Sequence, residues 1–347
     1  MAAARNDDIM RLLRILLGRG MDPGAQDGEG WAPLHVAASS NSDMAVKPLL
    51  EYGADINATT AYGMTPVHVA VHEGNLETLG ILLNHHPDLS LGADDGSTPL
   101  VAAGCSKQLG AARLLLDHDC NVNATNIDGE SILHYAVMDE DCELAQTLLY
   151  RGIDTSIIVM KGWTAMHSAG CIGSAEVLSH LIARGANISA RGAEGETPLH
   201  VAASGAHAVS VKLLAENGAG LDVLTDTGET ALHWAARATA AAAAKKAGDH
   251  FKCCCKLEKE AEHAQPDHSK SECVAMLLDL GADATVENRD GASPLAVAVV
   301  AGHDDVVDVL LRHQRVGSPS GSTLDPTAYA NLVRASHNSG SAAALER

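Results

Sequence analysis

The chain repeats itself every 33 residues. "APLHVAA" starts at Ala32, "TPVHVAV" at Thr65, "TPLVAAG" at Thr98 and "SILHYAV" at Ser131, followed by "TAMHSAG" at Thr164, "TPLHVAA" at Thr197 and "TALHWAA" at Thr230. An eighth copy, "SPLAVAV" at Ser293, comes 63 residues later, so the last seam holds a 30-residue insertion at about 239–268. A chain of 347 residues could make two ordinary globular domains or one long array. A strict period decides for the array, because a unit this short cannot bury its apolar face alone and must stack on its neighbours.

Each unit carries its own local instructions. Thr197 and Pro198 suit an N-cap and first helical position: the hydroxyl accepts an orphan backbone N–H and the ring supplies a helical φ. A short apolar helix follows, then a polar turn and a second helix with a Leu doublet (Leu49-Leu50, Leu82-Leu83, Leu115-Leu116, Leu148-Leu149, Leu277-Leu278, Leu310-Leu311). Glycines such as Gly53, Gly152 and Gly281 suit a left-handed residue beyond that helix. An extended piece such as "INATTAYG" closes the unit on a turn glycine. Two positions are identical in all eight copies: the turn glycine (Gly30 to Gly291) and an alanine inside the first helix (Ala37 to Ala298). An invariant Ala implies helices so close that an added methylene would clash.

These motifs resemble the ankyrin-repeat family, with its 33-residue period and T-P-L-H-x-A signature. Tetratricopeptide repeats, with period 34, would lose register by one residue per unit. The resemblance implies an all-α repeat solenoid of stacked helix-turn-helix units with β-hairpin-like loops, the loops projecting as fingers beside a concave surface. The expected organisation is a capping half-repeat at 1–26 and eight repeats at 27–316, divided as 27–59, 60–92, 93–125, 126–158, 159–191, 192–224, 225–287 (holding the insertion) and 288–316. A linker, a capping helix from Asp325 and a tail occupy 317–347. Pro48 inside a second helix is expected to kink or shorten it. His86 and Asp119 stand where the left-handed glycine is usual, and Val101 and Ala296 replace the signature His.

Composition narrows the function. Hydrophobic residues are 46% but aromatics only 3%, which suits small packed helices and argues against an aromatic-rich β-sandwich. The formal charge of −20 disfavours nucleic acid and anionic membrane, and points to basic partners. Eight scattered cysteines show no disulfide-framework spacing, and neither a secretory core nor an apolar run of membrane length is present. A monomeric, cytoplasmic protein is expected, with the nucleus left open.

No G-x-S-x-G, H-E-x-x-H or P-loop occurs, so hydrolase, metalloprotease and NTPase chemistry lack a starting residue and no enzyme or cofactor is expected. The signature histidines His35, His68, His134, His167, His200 and His233 recur once per packing unit and read as structural. His85, His86, Asp117, His118 and Asp119 would gather on one edge of repeats two and three, as a metal or pH-sensitive patch or simply a solvated edge. The insertion, with "HFKCCCKLEK", reads as a helical protrusion that could contact a partner. Consecutive cysteines diverge by about 100° on a helix, so few could share a metal, and lipidation is a further alternative. A metal- or redox-responsive regulator built on this insertion or on the His/Asp edge is the rival to an interaction module.

The resemblance also implies where a protein partner binds: finger tips and the inward face of the first helices. Carried onto this chain, those positions are Glu29, Trp31, Tyr62, Met64, Asp94, Asp95, Ser97, Asp128, Glu130, Lys161, Trp163, Glu194, Glu196, Asp226 and Glu229 on the fingers. His72, Glu73, Met138, Asp139 and Arg237 lie on the helices. The expected surface is acidic, with Trp31 and Trp163 either anchoring a basic partner segment or packing against the adjacent finger.

Overall fold

The computed structural model describes residues 12–159, 162–237 and 268–317. Lys161, the insertion, the first residues of the N-terminal half-repeat and the C-terminal capping helix lie outside the described residues. Two compact blocks make up the chain, Met1–Val159 and Met160–Arg347.

In the first block a helix over 12–18 is followed by four helix pairs. The inner helices, Pro33–Ser39, Pro66–His72, Pro99–Cys105 and Ile132–Met138, pack each on the next. The outer helices are Asp43–Glu51, Leu76–Leu83, Leu109–Leu116 and Cys142–Tyr150. The second block stacks Ala165–Ile172, Pro198–Ser204, Ala231–Arg237 and Pro294–Ala301 in the same way. Behind them lie Ala175–Ala183, Ala208–Glu216, His268–Asp279 and Asp304–Gly317. The helix after the insertion thus takes the outer place in its pair. Strand is confined, among the described residues, to Ile158–Val159 in one block and Trp163–Thr164 in the other. This is an all-α repeat solenoid.

The core follows the period. Leu82, Leu83, Leu115, Leu116, Leu148 and Leu149 from the doublets are buried, and the repeated alanines are at most 5% exposed. Five of the signature histidines, His35, His68, His167, His200 and His233, reach a carbonyl in the next finger, whereas among the described residues Nε2 of His134 has no hydrogen-bond partner. The N–H of Thr65 donates to Nδ1 of His68 (3.2 Å), while His68 Nε2 lies 2.9 Å from the Ser97 carbonyl in the next finger. His200 repeats the pattern with Thr197 (3.2 Å) and Glu229 (3.1 Å), and His233 with Thr230 (3.1 Å) and Ala292 (3.1 Å). Because Nδ1 accepts, Nε2 must carry the proton and donate, so each ring is neutral. Burial pushes His134, His167 and His200 down to about 4, and lowers His35, His68 and His233 as well.

Fingers are tied to one another through backbone. Ala61 N–H donates to Glu29 O (2.9 Å), Asp94 to Tyr62 (3.0 Å), Ile127 to Asp95 (2.9 Å) and Asp226 to Glu194 (2.8 Å). Gly63 shows why the turn demands glycine: its φ is +70°, and a Cβ there would sit 3.0 Å from the Asp94 nitrogen.

Two sequence expectations need correction. Pro48 does not shorten its helix: Asp43–Glu51 runs nine residues through it, with Val46, Pro48 and Leu49 buried. Packing there outweighs the single backbone bond that Pro removes. At the left-handed position His86 adopts φ +54°, but Asp119 is not among the described residues with positive φ.

Candidate functional site

A cleft of about 330 Å³ opens in the first block, between the fingers and inner helices of repeats two and three. One wall is the finger Tyr62-Gly63-Met64, the other the pair Asp94-Asp95. The inner helices contribute His68 and His72 from one repeat, and Ala102, Cys105 and Ser106 from the next. Tyr62 is 61% exposed, a large aromatic surface with water over it. Asp94 and Asp95 are exposed at the rim, and Asp95 accepts from the Ser97 N–H and hydroxyl, both at 2.9 Å. The floor is uncharged, because both nitrogens of His68 are engaged and burial keeps the ring neutral.

One position on the inner-helix wall of the cleft is small. Ala102 stands where the other inner helices of the first block carry Val36, Val69 and Tyr135, and the inner helices of the second carry Ser168, Val201 and Trp234. Tyr62, Met64, His72, Asp94, Asp95 and Ser97 of the expected partner-facing set line the cleft, and Glu73 lies exposed beside His72. Ala93, Ala102, Cys105 and Ser106 also line it and did not emerge from the family pattern. The readable signal for them was the missing side chain at 102.

The other expected residues divide by direction. Glu29, Glu194, Asp226 and Arg237 are exposed, and Trp31, Asp128, Met138 and Asp139 are half-buried. After five of the turn glycines the next residue is buried rather than at the tip, contrary to the expectation of exposed fingers. Ser97, Glu130, Trp163, Glu196 and Glu229 are all at most 8% exposed. That residue immediately precedes the helix cap, so the returning chain carries it inward. Trp163 donates from Nε1 to Glu196 (2.6 Å) and stacks on His167 with centroids 5.9 Å apart, which is the packing alternative for this Trp. Glu130 accepts from the Tyr135 hydroxyl and from Asn126 (2.8 Å), and Glu229 pairs with Arg237 at 2.6 Å. Asp139 pairs with Lys107 at 2.5 Å.

The His/Asp edge forms a second cleft of about 310 Å³, where Leu83, His86, Pro87 and Leu89 meet Asp117, His118 and Asp119. His85 does not line it. Asp117 is drawn to Arg151 (2.8 Å) rather than to the histidines. Among the described residues no three His, Cys, Asp or Glu side chains come close enough to hold a metal ion. Among the described residues Cys120 and Cys273 are free thiols. No described helix is long and apolar enough to cross a membrane.

Comparison with known proteins agrees with this geometry. The family model for ankyrin repeats (3 copies) matches residues 1–93, 74–159 and 166–247. No curated protein matches the chain. Among solved structures the chain is similar to the ankyrin repeat domain of Bcl-3, described as a unique member of the IkappaB protein family. The two share 26% identity at a TM-score of 0.54, over 61% of this chain and 94% of that one. Ankyrin repeats are in general protein–protein interaction modules, and this chain belongs to the ankyrin-repeat family.

Proposed function

We propose that the protein is a non-enzymatic interaction module that receives a basic segment of another protein on the acidic ends of its fingers. The observation that carries this reading is the cleft of repeats two and three, where an exposed Tyr62 lies against the exposed carboxylates Asp94 and Asp95. In the second block Glu194 and Asp226 add exposed carboxylates on successive fingers. Fields from neighbouring like charges sum, raising the encounter rate with a cationic segment and screening away with salt.

A photo-crosslinking residue placed at Tyr62 and a second at Glu194 test it. Crosslinked partner peptides should be rich in Lys and Arg, and their yield should fall between low and physiological salt. Asp94→Lys should reduce the yield at Tyr62 without altering the melting temperature. Crosslinked segments that are acidic or neutral, or a yield indifferent to both salt and Asp94→Lys, would refute the proposal.

A further inference from the structure

We infer that the cleft of repeats two and three seats one leucine- or methionine-sized side chain of the partner, with a Lys or Arg of the same segment beside it reaching Asp94. The inference rests on the interaction reading above and names its chemistry at one place.

The walls decide the class of occupant. Tyr62, Met64 and Ala102 offer apolar surface, and Met64 is an unbranched thioether that adapts to what it meets. The polar groups at the floor are already answered: His68 holds Thr65 and Ser97, and Asp95 holds Ser97. A polar occupant would lose its water without gaining partners, whereas an apolar one loses nothing. The volume of about 330 Å³ lies at the small end of ligand clefts, ~300–1,000 Å³, which suits a side chain rather than a helix.

Charge decides what flanks it. Asp94 and Asp95 crown the opening and Glu73 stands exposed next to His72. The nearby cation Lys107 is neutralised by Asp139. An apolar anchor flanked by Glu or Asp would therefore be repelled at the rim, and one flanked by Lys or Arg would be drawn in.

Three nine-residue probe peptides test this on the full chain by fluorescence anisotropy. One carries a central Leu between Lys-Lys and Arg-Lys, the second a central Ala in the same flanks, the third the central Leu between Glu pairs. The basic Leu probe should bind roughly tenfold or more tightly than the Ala probe, as expected for burial of the larger side chain. It should also move the methyl resonance of Met64 in methyl-labelled protein. Ala102→Leu, which fills the cleft from a half-buried position, should bring the Leu probe down to the affinity of the Ala probe. Asp94→Lys should weaken both basic probes alike. Equal binding of the Leu and Ala probes, or an unmoved Met64 methyl, overturns the anchor inference while leaving the basic-segment reading standing. Equal binding of basic and Glu-flanked Leu probes overturns the basic-segment reading and keeps the anchor. Failure of every probe to bind overturns both.

Discussion

Repeats two and three and repeats five and six share one frame but finish their fingers oppositely. In both, a Thr–His pair caps the inner helix and the His reaches a carbonyl in the next finger (His68 to Ser97, His167 to Glu196). After the turn glycine, repeat five places Trp163, which is 2% exposed and bound to Glu196. Repeat two places Met64, half-buried beside the exposed Tyr62, with Ala102 opposite. One pair of fingers uses its apolar surface to hold the fold, and the other leaves it open to solvent. A side chain or two on an invariant frame makes the difference, which is how a repeat array can be stable and specific at once.

Acid should break what the two regions share, and by the largest amount. The six signature rings are neutral in the folded chain, and burial holds His134, His167 and His200 at about 4 against an ordinary 6.5. Between those values the unfolded chain binds protons that the folded chain refuses. Stability is therefore full above pH 6.5 and falls as pH drops towards 4, levelling below it. At pH 5 the loss is on the order of 2 kcal/mol per ring, so three rings together rival the ~5–15 kcal/mol of a typical domain. Urea midpoints measured from pH 7 to pH 4.5 should fall steeply, and His200→Gln should flatten the curve. A midpoint independent of pH would show that the rings accept protons without opening the frame.

Trp163→Ala and Met64→Ala strike the contrast itself. Removing Trp163 empties a closed site and takes one of the two donors from the buried Glu196 carboxylate, so a loss of about 3–5 kcal/mol is expected. Met64, half-buried, should cost less than about 1 kcal/mol. Similar losses at both sites, read from urea melts, would mean that the cleft wall is as structural as the closed finger.

How much of this was legible in the sequence depends on the range of the interaction. The period, the Thr–His caps and the turn glycines are local rules repeated many times, so the family and helix pairs could be read directly. The direction of a finger residue is set by the side chain it packs on, which lies 33 positions back for Glu196 and on the following inner helix for Glu130 and Glu229. Spacing placed Glu130, Glu196 and Glu229 at tips, and packing turned them inward onto Tyr135, Trp163 and Arg237. Pro48 misled for a similar reason, since the rule for its lost bond says nothing of the contacts its ring gains. The cleft left only a weak trace, the small Ala102 in a register of Val, Tyr, Trp and one other small residue, Ser168.

The inner-helix alanines allow a finer cut. Ala202 is fully buried and belongs to the invariant position, so Ala202→Leu should overpack the stack and cost about 1–3 kcal/mol. Ala102, one position earlier in its own repeat, faces the cleft, and Ala102→Leu should stay within about 0.5 kcal/mol of the parent. Equal urea midpoints for Ala202→Leu and parent would deny the tight approach; a large loss at Ala102 would deny the open cleft.

The smallest effect expected is a gain, and it asks whether the open region is open by design of its fingers or through a defect in its frame. Repeat three carries Val101 where its neighbours carry the signature His, and the buried hydroxyl of Thr98 is left without a hydrogen-bond partner. The acceptor that a histidine there would use is already in place. In repeat two the finger carbonyl takes one bond from its own turn and one from the ring: Ser97 O receives Ala93 N–H (3.0 Å) and His68. Glu130 O likewise receives Asn126 N–H at 3.0 Å, and a carbonyl has a second lone pair to offer. Val101→His would give Thr98 its missing partner and span to Glu130, worth about 1 kcal/mol for the satisfied group. Val101 is fully buried, so the larger ring must find the room that the other repeats provide. A higher urea midpoint at pH 7, with the gain lost again as pH falls below 6.5, would show that repeat three keeps the common frame and that the cleft is a property of its finger and Ala102. A lower midpoint at pH 7 would show instead that the helix has closed around the valine, and that the frame itself differs where the cleft lies.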